Sequence, residues 1–579
     1  MRTLIFAGLL LLLLARPAAA ATVVAFPPPG TRTASPETQL SFRGVTTLGT
    51  ISVRGSRSGR HSGVVRAHSD GRGVSFEPRR PFRQGERVSV RTTLDIAGAR
   101  DGDFGLTIAR EPPGGVPRPG EDPTIGRGAV QRFASAPGLT PPALAVTTLK
   151  PGVAPGLVFL APKSGRGQDG PMIVDDRGRL VWFEPTTGGE LAADFRVQSY
   201  RGQPVLTWWH GRQLMGQGTG ADVIYDSSYR KVADVRAGNG YSADLHEFLI
   251  TPQDTALIPI YAPVRRDLRS VGGPRNGVAV DNIVQEVDIA TGLVLFEWHS
   301  LGTIGLAESK TRPAKERGVP WDYFHVNSIA LDGAGNIVIS ARNTWAVYKL
   351  GRRTGALLWR LGGTRSDFRL GPGVRFAWQH DAVPQPDGSL SLYDNGATPK
   401  VRARSRAISV VLSGRTATLR SAITHPRGLL SATQGDAQRL PNGNTFVGFG
   451  SRRYFSEFGP RGELLFDGHL AKGNDSYRAY RFPWTGTPGG PPRIAAVTRG
   501  GRTTAGASWN GATGVARWEL LGGPRKDAMT VLASAPSSGF ETAVTVPAVG
   551  FVAMRALDAA GNRLASTAAV APGTASRHR

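Results

Sequence analysis

The chain repeats itself. The stretch FAWQHDAVPQPDGSLSLYDNG, Phe376 to Gly396, is echoed by SATQGDAQRLPNGNTFVGFG, Ser431 to Gly450. Superposed, Gln379 matches Gln434, Asp381 matches Asp436 and Gly388 matches Gly443, but His380 faces Gly435. Two earlier segments, HEFLITPQDTALI and HVNSIALDGAGNIVIS, start the same way, so His246, His325, His380 and Gly435 follow at steps of 79, 55 and 55 residues. Between them lies a second half-unit, a strand, a turn and an aromatic-ended strand: MIVDDRGRLVWFEP, EVDIATGLVLFEW, YKLGRRTGALLWRLGG and SEFGPRGELLFDG. Repeats of about 50 residues with several short strands each are the spacing of propeller blades, and the step of 79 marks one blade with a long insertion. Residues 143–488 have room for about six.

The rest of the chain supports an all-β class. Apolar residues nowhere keep a helical period for several turns; short alternating runs sit between Gly, Asp, Asn and Pro, with 75 Gly and 42 Pro in 579 residues. The expected architecture is a six-bladed β-propeller flanked by two sandwiches. Residues 22–110 predict an N-terminal, Ig-like β-sandwich, 111–142 a Pro/Gly-rich linker, and 489–579 a fibronectin type III-like domain with Trp509 in its core. The first 21 residues, MRTLIFAGLLLLLLARPAAAA, read as a signal peptide with an apolar run too short to span a bilayer. No later segment is long and apolar enough either. The mature protein is therefore expected outside the cytoplasmic membrane, without an integral membrane segment.

Charge and cysteine content narrow the function classes. The formal net charge is +26, and 61 of the 70 basic residues are Arg, scattered along the chain. No recognisable module gathers them with stacking aromatics, which argues against nucleic acid; the excess favours anionic ligands or an anionic cell surface. With no cysteine, disulfides, thiol chemistry and a cysteine-derived formylglycine sulfatase are excluded, and the sequence has no S-x-P-x-R equivalent. There is no GxxxxGK[ST] loop or dinucleotide fingerprint to hold a nucleotide sulfate donor, and no cofactor is expected.

The three in-register histidines are the candidate site. Equivalent positions at strand entries of successive blades converge on one channel, so His246, His325 and His380 should face one another. Asn327, two residues after His325, is expected to share its face. Arg342, in the ISARN that ends the same hairpin, can return a guanidinium to the channel. Imidazoles, an amide and an Arg, with no evident carboxylate excess, suit an anion with three or four oxygens. Asp381 and Glu247 should point away and anchor their strands. Gly435 would leave room for substrate, and Trp208, Trp209, Trp321, Tyr323, Trp345 and Trp378 are candidates to stack on aryl rings. Three histidines could also bind zinc, but the Arg342 charge disfavours it, so no metal is expected.

Taken together, HEFLITP, HVNSIALDGAGNIVISARNTWAVYKL, TGALLWRLGG with SDF after it, FAWQHDA, and RLPNGNTFVGFG closing on YRAYRFPW resemble the PAPS-independent arylsulfotransferases. The likeness covers roughly residues 145–488. It implies a six-bladed propeller that moves a sulfuryl group from an aryl sulfate to a phenol. His380 would be the nucleophile that becomes sulfated, with His246, His325, Asn327 and Arg342 holding the sulfuryl oxygens, and His246 or His325 handling the phenol proton. The chain departs from the best-known enteric members in lacking the cysteines of their disulfide, and its flanking sandwiches suggest action near the cell envelope. Two rivals stand beside transfer: a non-catalytic propeller that binds sulfated or phosphorylated ligands in its channel, and hydrolysis with water as acceptor.

Overall fold

The computed structural model describes residues 23–112, 128–316 and 318–574; the expected signal peptide lies outside them. The fold is all-β and propeller-like, with only three short 3-10 turns among the described residues. No described helix is long and apolar enough to cross a membrane.

Six successive sheets build the centre, each with four antiparallel strands; three carry a fifth strand, antiparallel at Leu144–Leu149 and parallel at Pro320–Trp321 and Arg369–Leu370. Their inner strands or entries lie at Leu191–Tyr200, Leu249–Ile250, Val326–Leu331, His380–Pro384, Asp436–Arg439 and Asp475–Phe482. Chain ends close the set twice. Asp475–Phe482 pairs with Leu157–Lys163, and Leu144–Leu149 pairs with Leu464–Leu470. The Asp-Gly and Asn-Gly signals are the hairpin tips: Gly388 and Gly443 take φ of +77° and +87°, which a side chain resists. Asp387 and Asn442 accept from the backbone N–H two residues on, at 3.0 and 3.1 Å. Outside the tips the strands bury apolar residues against the next sheet, as Trp209 and Ile258 do in one shared cluster.

The 79-residue step is explained by the third sheet. Its strands Thr255–Arg266 and Gly277–Asp288 are twelve residues each, and a detour through residues 300–321 returns with Pro320–Trp321 in parallel to the second of them. That detour delivers Thr311, Trp321 and Asp322 to the central pocket.

Each flank is a pair of four-stranded sheets. The N-terminal pair encloses Phe42, Val53, Phe76, Val88, Val90 and Phe104. It docks on the propeller-like body through a buried polar cluster: Thr33 donates to Asp281 at 2.6 Å, and His299 lies between Asp281 and Glu297 at 2.8 and 3.0 Å. In the C-terminal pair the core tryptophan is Trp518; Trp509 is half-buried and donates its indole N–H to Gly490 O at 2.6 Å. The expected linker is packed where it is described. Phe133 lies against Phe540, and Ser135 donates to Ser508 at 2.7 Å, because the Pro-rich segment carries apolar residues that the C-terminal sheets cover.

Candidate active site

A cavity of about 440 Å³ opens where the inner strands converge, lined by His246, Tyr261, His325, Arg342, His380 and Tyr477. A larger cleft of about 1160 Å³ lies between the N-terminal sandwich and the outer strands. That cleft holds no histidine, and its Arg43 and Arg352 are already paired with Asp70 and Glu286. The smaller cavity is where the chemistry gathers.

The three imidazoles meet as the repeat implied. His246 and His325 stand edge to face with centroids 4.8 Å apart, and Tyr477 lies 5.4 Å from His246 and 6.5 Å from His380. In all three rings Nδ1 is held by the protein. His246 uses Asp244, His325 uses Asp322 at 2.5 Å, and His380 uses Asn395 Oδ1 at 2.8 Å with Trp378 O at 3.2 Å. These acceptors place the ring proton on Nδ1 and leave the lone pair on Nε2. The backbone confirms the bracing, since His246 N and His325 N donate to the same two carboxylates at 3.0 Å. Asp322 also accepts from Asn282 at 3.1 Å.

Protonation follows from burial and from Arg342. Burial pushes the His380 pKa well below 6.5, and the Arg342 charge pushes it the same way, so the ring is neutral at pH 7. His325 is also lowered, burial outweighing Asp322. Its contact with Asp322 has ion-pair geometry, yet the neutral ring makes it a hydrogen bond from Nδ1–H to a carboxylate. Burial pushes Asp322 up, but His325 and Asn282 more than offset this and keep it ionised. Tyr261 and Tyr477 are pushed up by burial, and their hydroxyls donate to Val326 O at 2.5 Å and Asn327 O at 3.2 Å; they are walls, not bases.

Arg342 sits in the 3-10 turn Arg342–Thr344 with its guanidinium 4.9 Å over the Trp378 ring. It reaches Asn343 Oδ1 at 3.0 Å and Ala432 O at 3.4 Å, but its buried Nε has no partner. A buried donor without an acceptor is costly unless a ligand supplies one. Left-handed backbone clusters here too: His325, Trp345, Trp378, Asp381 and Gln434 have φ between +53° and +66°. Such strain persists where the surroundings over-determine it, as at functional sites.

Other expected residues fall elsewhere. Asn327 does not line the cavity. It is fully buried and donates Nδ2 to Gln379 O at 2.8 Å, because the strand register shifts between Val326 and Ser328 and His325 is not extended, so the two-residue rule fails. Gly435 leaves no room for substrate either; a Cβ there would meet Tyr393 Cε1 at 2.6 Å, so the glycine serves packing. Of the aromatic candidates only Trp321 lines the cavity. Trp208, Trp209 and Tyr323 are core residues, and Trp345 packs on Trp378 at 5.1 Å. Glu247 and Asp381 lie beside Arg478, below the pocket, and accept from Ile329 N at 3.2 Å and Ala437 N at 2.9 Å. Asp244, Asp322 and Asn395 were missed, although Asp two or three residues before His246 and His325 was a readable signal.

Fold and cavity together define an all-β, propeller-like protein with a histidine and arginine pocket where its inner strands meet. Residues 196–471 match the arylsulfotransferase (ASST) family model, and this part of the chain belongs to that family. No curated protein matches the chain. Solved structures similar to it include a protein of unknown function from Bacteroides caccae, at 12% identity over 56% of this chain and 98% of that one, with a TM-score of 0.36. Virginiamycin B lyase from Staphylococcus aureus is 8% identical over 62% and 94%, with a TM-score of 0.29. The extracellular domain of a hybrid two-component system from B. thetaiotaomicron is 11% identical over 94% and 72%, with a TM-score of 0.33. Likenesses this distant carry no functional argument.

Proposed function

We propose that the protein is a secreted, six-bladed sulfotransferase that moves a sulfuryl group from an aryl sulfate ester to a phenolic acceptor through a sulfohistidine at His380. The six sheets are its blades, residues 22–110 an Ig-like module and residues 489–579 a fibronectin type III-like module. The observation that carries the reading is the difference among the three Nδ1 partners. Carboxylates back His246 and His325, and a neutral amide backs His380.

The difference assigns roles. His380 Nε2 attacks sulfur, the S–N bond forms and the S–O bond to the aryl group breaks, releasing a phenolate. His380 keeps its Nδ1–H and becomes a sulfoimidazolium; Asn395 accepts that N–H without removing it, which preserves a good leaving group. In the second half, the acceptor phenol oxygen attacks sulfur while its proton passes to Nε2 of His325 or His246, and the resulting imidazolium is stabilised by Asp322 or Asp244. That proton goes to the next phenolate released, so the cycle balances. Arg342 supplies charge to the equatorial oxygens through the transition state. Asn327 acts at most through the backbone around the site.

The purified mature chain is expected to release p-nitrophenol from p-nitrophenyl sulfate faster with phenol present, and to carry a sulfuryl mass increment on the His380 peptide. His380→Ala should abolish both. A second reading, anion binding without turnover, has one observation behind it: His380 is 1% exposed and its Nε2 accepts from Gln434 N at 3.2 Å. Binding of aryl sulfate by a folded protein that releases no phenol would establish that reading instead.

A further inference from the structure

The N-terminal sandwich has two unlike sheets. Val24–Phe26, Leu40–Arg43, Gly73–Pro78 and Gly63–Ala67 form one, whose first two strands pack against Val294–His299 of the propeller-like body. The other, Gly59–His61, Ile51–Gly55, Arg87–Thr92 and Asp103–Thr107, lies on the far side of the sandwich core. In it His61, Val53, Val88, Val90, Phe104 and Leu106 point inward, and the alternate residues face solvent.

Those outward residues are arginines to an unusual degree. Arg54 is paired directly across the strands with Arg60 on one side and with Ser89 on the other, and Arg87 and Arg91 flank Ser89 on the same face. At one edge the hairpin adds Arg57, and the crossing between the sheets adds Arg79, Arg80 and Arg83; all eight are exposed. Only Arg91 has an ion pair, with Asp103 at 3.2 Å. Glu86, beside Arg57 and Arg83, is buried and spent on Ser58 Oγ at 2.7 Å and the N–H groups of Arg57, Ser58 and Arg83. Like charges directly opposite across strands are unfavourable. The sheet nonetheless places two guanidinium groups there and leaves them uncompensated.

We infer that this sheet is a docking face for a linear polyanion, a chain that bears repeated phosphate or sulfate groups. Three features select that partner. Guanidinium forks match tetrahedral oxyanions bidentately, and the arginines recur along rows at strand spacing, so successive groups of an extended polymer meet successive arginines. Ser89 and Gly105, side by side next to Arg54 and with Arg87 and Arg91 on either side of Ser89 along its strand, leave a shallow strip without bulk that runs to the sheet edge. The outward residues of these strands include no large aromatic or aliphatic side chain to enter a bilayer, which a membrane-lying surface requires. The face belongs to a different domain from the His380 cavity, so the inference stands whether or not the chain transfers sulfuryl groups.

The test uses the full mature chain with polyphosphate and dextran sulfate as separate probes, which distinguishes the two sources of the same chemistry, and with phosphatidylglycerol vesicles as a third. The combined substitution Arg54→Glu, Arg60→Glu and Arg87→Glu is compared with Arg365→Glu, Arg415→Glu and Arg461→Glu, an equal change of net charge on exposed arginines of the central sheets. Binding to at least one polymer should weaken by about tenfold or more in the first variant, with a shallower salt dependence, and by less than about threefold in the second. Circular dichroism and activity on aryl sulfate should be unaltered in both. Equal losses in the two variants would show a response to net charge alone and overturn the proposal, as would binding to vesicles only or to none of the probes.

Discussion

Replacing Asn395 by Leu separates a braced nucleophile from a merely buried histidine. Asn395 accepts from His380 Nδ1 at 2.8 Å and donates to Gln434 O at 2.9 Å and Ser431 O at 3.3 Å. Leu removes all three bonds at similar volume. The orphaned carbonyls cost about 1–3 kcal/mol of stability, and Trp378 O at 3.2 Å remains as the weaker acceptor for Nδ1. The loss of about 1–2 kcal/mol of tautomer and orientation bias predicts a fall of roughly 5- to 30-fold in the rate of His380 sulfation. Asn395→Asp is the informative companion. It keeps an acceptor for Nδ1–H but adds a charge that raises the His380 pKa, so the acid limb of the pH–rate profile should move upward. Single-turnover release of p-nitrophenol reads the rate, and ¹⁵N NMR of labelled His380 reads the tautomer. If both folded variants keep the parent rate, pH profile and Nδ1–H tautomer, Asn395 does not position His380 and the assignment of roles from the Nδ1 partners falls.

Arg342→Gln should remove the second cause of the low His380 pKa, moving the acid limb of kcat/KM to higher pH while lowering activity by about 10²-fold or more, as loss of a transition-state donor does. His299 is buried between two carboxylates that outweigh burial and raise its pKa to about 10 from 6.5. Its contribution to docking of the N-terminal sandwich is full below pH 6.5 and lost as pH rises to about 10, so protease sensitivity of that junction should increase over this window, and His299→Leu should abolish the dependence. Arg478 is fully buried and joins Asp194 at 2.9 Å with Glu247 at 3.1 Å, so Arg478→Met removes one of the two guanidinium groups that neutralise this buried pair, leaving Arg196 alone against both carboxylates, and should cost about 3–5 kcal/mol, read as a lower Tm of the central sheets.

The repeat, the all-β class and the meeting of three imidazoles were legible in the residues alone. Those rest on local signals: Asp-Gly and Asn-Gly turns set the hairpins, alternation sets the faces, and a fixed position in each repeat carries over to a fixed position in each sheet. The family resemblance rested on the same stretches and holds over residues 196–471. The partners that reach across strands and sheets emerge only from the packed fold. Asn395 reaches His380 from just past the end of the next strand, Gln434 N reaches it from the entry to the following sheet, and Asp322 arrives on the detour of the third sheet; no spacing rule encodes such contacts. Asn327 shows the converse limit. Its alternation was readable but its register was not, because a bulge is set by how two strands meet, and one shifted residue turns a side chain from the cavity into the wall.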